Sequence, residues 1–331
     1  MIRYILFASV ITFLFSACST KQVFEPKKID GEWSEKIEKS ETILDTTATV
    51  ALLEDDKVLT KSSLLNIKID KDKRVISDSG NWIITASIDG NVTLISKDDS
   101  LNKEKFALKK TIAGASVNEN ILAVIFADNE IALYDITSKE TLFKEQGTKY
   151  TAVDYRVVNP YFMNGLVLFS TLNGTVVIVN EKLRKRLRTV IVSSEDVFNN
   201  IISLHIIDNK IIAATTYEIL SMSQKEHRVK YEIRDITYDD KNIYITTKQG
   251  EIISLTPNLE INLKIKFPFA HFYGLIEDKD KLYAIEKEGY MIVIDKNTFE
   301  YTIEEIDFDD DGFIFIGDKS FYITDKKISV K

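Results

Sequence analysis

Asp307, Asp309, Asp311 and Asp318 fall at positions 1, 3, 5 and 12 of a calcium loop, with Gly312 at position 6. Oxygen ligands at that spacing can wrap a hard cation. No helical pattern flanks the stretch, however, and its last position is Asp where a bidentate Glu is usual. Asp309 also aligns with Asp239 and Asp278, which sit in acidic turns elsewhere in the chain. A structural turn is the preferred reading, with calcium the weaker candidate. A second cluster is basic: Lys182, Arg184, Lys185, Arg186 and Arg188, interleaved with Leu183 and Leu187. It suits an acidic partner or phospholipid headgroups, or else a solvated edge whose charges prevent strand pairing. The three histidines, His205, His227 and His271, are far apart, and none has a second ligand at zinc spacing. There is no nucleophile elbow and no phosphate- or dinucleotide-binding glycine motif. Nothing here forms a catalytic constellation, and no cofactor is expected.

Composition narrows the partner. With 43 basic and 51 acidic residues the formal net charge is −8, the opposite of the basic footprint that nucleic-acid binding requires. The lone cysteine, Cys18, rules out an internal disulfide. It follows a short positive start (Arg3) and the apolar run Tyr4–Phe15, too short to span a bilayer as a helix but suited to an export signal. The sequence Phe15–Ser16–Ala17–Cys18 resembles the lipobox of bacterial lipoproteins. That resemblance implies a signal peptide over 1–17, lipidation of Cys18, and, with Ser19 following, the periplasmic face of the outer membrane. A polar tether is expected over 18–40, with Trp33 as its one candidate for packing back. A single folded domain is expected over 41–331.

The elements that must position any site come from an internal repeat. A twenty-residue frame is clearest at Ile236–Leu255 and recurs at Leu275–Ile294, Ile76–Ile95, Ala115–Tyr134 and Pro160–Val179. Each has an apolar residue at its eighth position (Ile243, Leu282, Ile83, Leu122, Val167). Gly or Asn follows in each (Gly250, Gly289, Gly90, Asn129, Gly174). Weaker copies begin near Ala51, Leu204 and Ile306. Alternating apolar residues such as Val92 and Leu94, or Val176 and Ile178, indicate strands. Asp89–Gly90 and Asn173–Gly174 supply the positive φ that tight hairpins need. A fourth strand follows in most copies, and four-stranded units repeating every 25 to 45 residues predict a β-propeller. The fold class is therefore all-β, with eight blades counted and seven the alternative. The first frame shows no clear fourth strand. Ring closure is expected from either Thr42–Leu53 or Ile328–Val330.

The stretches Ala86–Val92 and Leu133–Asp135 followed by Thr137–Glu140 resemble the quinoprotein-type (PQQ-like) repeat. Joined to a lipoprotein signal, that repeat is similar to the BamB family of outer-membrane β-barrel assembly factors, although the regular tryptophans of quinoprotein repeats are missing. The resemblance implies a non-enzymatic scaffold that presents a face to the barrel-insertion machinery. The alternatives are an envelope ligand-binding propeller or a propeller enzyme with an axial site. Polar groups gathered at the axis would favour the alternatives, and a salt-bridged axis the scaffold.

Overall fold

The computed structural model describes residues 22–309 and 312–330. Cys18, the signal region and Asp311 lie outside the described residues. Every element found is a β-strand. Eight sheets form the blades, which span residues 43–65, 73–107, 112–146, 161–191, 203–230, 233–266, 272–305 and 314–329 and are numbered blades 1 to 8. Successive strands pair antiparallel in each. The first strands of neighbouring blades touch one another, which places them at the axis, while the fourth strands form the outer edges.

The repeat frame explains this arrangement. Its apolar positions alternate along the second and third strands, so each blade is apolar on both faces and must be covered twice. Eight buried clusters result, one in each gap between blades. Ile83, Leu122, Val167, Ile243 and Leu282, the eighth positions of the frame, are all fully buried. Gly90, Gly174, Gly250, Gly289 and Asn129 all adopt positive φ, as the hairpins demand. The turn before the fourth strand is equally regular. Asp135, Asn180 and Asp295 each accept a backbone N–H three residues on, and Lys139, Arg184 and Phe299 close it in the left-handed region.

Two expectations need correction. Blade 1 does have a fourth strand, the short Leu64–Leu65. The segment expected as a polar tether is part of the fold from residue 24 onward. Phe24 packs between blades 6 and 7, and Trp33 between blades 7 and 8. Gly31–Glu32 adds a parallel fifth strand to blade 7. Ile37–Lys39 pairs with Lys326–Ser329 and completes blade 8. The ring is thus closed by a strand just upstream of the predicted Thr42–Leu53, paired to the strand that includes Ile328.

Candidate functional site

The basic cluster divides along its turn and strand. Lys182, Leu183 and Arg184 occupy the turn that Asn180 organises, and Lys185–Ile191 is the outer strand of blade 4. Leu187 is the extra residue of a β-bulge there, because Arg186 faces Val179 and Arg188 faces Ile178. A bulge twists an edge away from further pairing. Arg186 reaches Glu145 on the outer strand of blade 3 at 3.4 Å. Arg188 reaches Glu226 on that of blade 5 at 2.6 Å. Lys182, Arg184 and Lys185 have no ion-pair partner among the described residues. Leu183 and Leu187 stand 61% and 49% exposed beside them, so the edge is both cationic and apolar.

Among its described residues, the acidic turn does not bring Asp307 and Asp318 together. Asp307 is fully exposed and 3.5 Å from Lys326. The strand Ile314–Ile316 then carries the chain away, so that Asp318 sits at the far end and donates its N–H to the Lys61 carbonyl at 2.8 Å. No group of three His, Cys, Asp or Glu residues among those described could hold a metal. The related turn in blade 6 has a structural role. Asp239 accepts the N–H groups of Lys241 and Asn242, the Tyr244 hydroxyl, and Lys296 of blade 7 at 3.0 Å. Burial alone would raise the Asp239 pKa, but these donors outweigh it and hold it below the ordinary aspartate value. The histidines stay apart: His205 faces the axis, His227 lies on the outer edge of blade 5, and His271 precedes blade 7.

At the ring axis lies a cavity of about 530 Å³, a volume typical of small-molecule sites. Most polar groups around it fasten one inner strand to the next. Ser77 donates to the Ala115 carbonyl at 2.6 Å, and Asn159 accepts the Ala115 N–H at 3.2 Å. Asp235 accepts the Leu275 N–H at 2.8 Å, and burial pushes its carboxyl up against the opposing pull of Arg156. Tyr238 shares a hydrogen bond with Ser203 at 2.8 Å and stacks on His205 at 4.6 Å. Burial lowers the His205 pKa, against the opposing pull of Asp240.

Three cations also reach this cavity, and reading the sequence missed them. Arg156 lies in the connection between blades 3 and 4, where the repeat is longest. Its Nε and Nη2 bind Asp154, each at 2.8 Å. The wholly buried Asn200 clamps this loop, bonding the backbone of both Asp154 and Arg156. Arg234 is the extra residue of a bulge in the first strand of blade 6, as Tyr273 is in blade 7, and both line the cavity. Lys61 extends from blade 1 to the Ile316 carbonyl. It is open to the hollow of the channel yet walled in by protein, so burial lowers its pKa. The long connection at 147–160 was the one sequence signal for any of these.

Comparison with known proteins agrees with this architecture. No family model matches the chain. It is 29% identical, over 86% of its length, to the plasminogen-binding protein PgbB of Helicobacter pylori, and 28% identical over 87% to that of a second strain. The chain spans 61% of the length of these relatives. Among solved structures, BamB of Moraxella catarrhalis matches with a TM-score of 0.65 at 12% identity, over 88% of this chain and 98% of BamB. The C-terminal WD40 domain of Sif2 matches with a TM-score of 0.64 at 12% identity, over 91% and 99%. The chain shares the propeller fold of these structures, here with eight blades. At such identities the likeness is one of fold.

Proposed function

We propose that this chain is a non-enzymatic interaction propeller, lipid-anchored through Cys18 at the periplasmic face of the outer membrane, that receives an acidic protein surface on the outer edge of blade 4. The observation that carries the reading is the 29% identity, sustained over 86% of the chain, with a protein named for binding another protein. The edge supplies a surface of fitting chemistry: Lys182, Arg184 and Lys185 lack ion-pair partners among the described residues, and Leu183 stands beside them. Charge complementarity of this kind chiefly speeds and orients encounter. A narrower version makes the partner the barrel-insertion machinery; the lipobox and the fold shared with BamB support it.

The test is crosslinked capture from envelopes with the native lipidated chain, in parallel with binding to immobilised plasminogen. Lys182→Glu combined with Lys185→Glu should cut partner recovery about tenfold at low salt while leaving the melting temperature unchanged. Recovery of the insertion machinery would select the narrower version, and plasminogen retention the version suggested by the relatives. If no protein is enriched by the wild type, the scaffold reading fails and ligand binding or catalysis at the axis takes its place.

A further inference from the structure

The axial cavity contains one guanidinium, that of Arg234, with no hydrogen-bond or ion-pair partner among the described residues, Glu232 acting on it only through its field. Three cations line it, Lys61, Arg156 and Arg234, with two carboxylates, Asp78 and Asp235; Asp78 is paired with Lys97 at 2.8 Å, and Asp154 stands against Arg156. Asp154 is consumed by its two-pronged contact with Arg156. Asp235 lies within the fields of both Arg156 and Lys61 and spends one oxygen on the Leu275 N–H. Arg234 has no hydrogen-bond acceptor or ion-pair partner for its guanidinium among the described residues, and its Nε is buried. Its position sharpens the contrast, because Arg156 donates to the backbone carbonyl of Arg234 itself and so brings a second guanidinium alongside. Burial, and then the Arg156 charge, push the Arg234 pKa down. A buried donor in this situation costs free energy unless something accepts from it.

The remaining wall is mixed, with Tyr155, Val158, Ile202 and Tyr273 as its apolar and aromatic part beside polar groups such as Ser116, Asn159 and Ser203. We propose that the ring axis binds a small organic acid, its carboxylate paired with Arg234 and its apolar body against Tyr155 and Tyr273. The planar guanidinium fork matches a carboxylate in two-pronged fashion. An unpaired Arg beside an aromatic stretch of wall gives a pocket the means to orient an amphiphilic ligand. The bulge in blade 6 is what re-aims this side chain from the strand into the channel. A bare inorganic anion would leave the aromatic wall unused. This site is separate from the blade 4 edge, and capture of a protein partner there does not depend on it.

The experiment is calorimetric titration of the full chain with phenylacetate, its neutral isostere phenylacetamide, and inorganic phosphate, in low-salt buffer. Phenylacetate should bind at least about tenfold more tightly than the amide, and phosphate should not displace it. Arg234→Gln should abolish the preference for acid over amide, and Arg234→Lys should restore part of it. Tyr155→Ala, in a loop outside the strands, should weaken acid and amide alike while keeping the preference. It serves as the second variant if Arg234→Gln does not fold. Equal binding of acid and amide by the wild type, or no binding of either, overturns the proposal. So does an Arg234→Gln protein that keeps the preference, while displacement by phosphate would overturn its organic part.

Discussion

Gly250 turns the hairpin between the second and third strands of blade 6 at φ +75°, and a Cβ there would lie 2.1 Å from the Phe267 carbonyl oxygen. Gly80, in the first hairpin of blade 2, has φ +56° but open space around it. The two separate backbone strain from steric collision. Gly80→Ala should cost about 1 kcal/mol, the left-handed penalty alone. Gly250→Ala should cost well over about 2 kcal/mol, because the Phe267 carbonyl is held in place by the Ala270 N–H at 3.1 Å and cannot yield cheaply. Urea unfolding of the two variants would measure the difference, and equal costs would mean that the turn relaxes. Gly250 was readable in the sequence because its constraint is local and recurs in every strong frame. Arg234 was not. Its entry into the axis depends on a bulge and on neighbours in blade 7 and in the connection before blade 4, none of which leaves a mark within its own frame. The basic run at 182–188 was legible as a cluster, but the engagement of Arg186 and Arg188 with blades 3 and 5 needed the ring itself.

The strands whose type the sequence disclosed are those with four or more residues of apolar alternation between turn residues. Those it concealed, Gly31–Glu32 and Ile37–Lys39, are two and three residues long. Neither buries enough of its own side chains to show a period, and each finds its partner more than two hundred residues away. What holds this segment is its two aromatic anchors. Trp33 is 7% exposed, in edge-to-face contact with Tyr283 at 6.2 Å. Trp33→Ala should therefore destabilise the whole ring by about 3 kcal/mol, as large-to-small changes in cores do. It acts where the two chain ends are joined, so the loss should appear as a single earlier transition in chemical denaturation. A shift under about 0.5 kcal/mol, within the range of ordinary surface substitutions, would reduce the segment to an ornament on an independently closed propeller.

Each blade leans on two neighbours through its own buried cluster, so the ring is completed only when the last gap, between blades 8 and 1, is filled. That gap holds a small cluster around Ile43, Leu53 and Phe315, reinforced by the Asp318 N–H on the Lys61 carbonyl at 2.8 Å and by Lys61 on the Ile316 carbonyl. At this scale the proposed anchor can be tested without touching the fold. Cys18→Ala should move the protein from the membrane to the soluble periplasm and leave its melting temperature unchanged. Membrane retention of the variant would remove lipidation from the proposal. Phe24 is fixed between blades 6 and 7 only six residues after Cys18, a contour of about 20 Å at full extension. A lipid at Cys18 would moor the ring on a very short line, with the rim at blades 6 and 7 nearest its berth. Blade 4 would then ride more than a quarter of the way round the circumference, turned from the home bilayer toward whatever approaches across the periplasm.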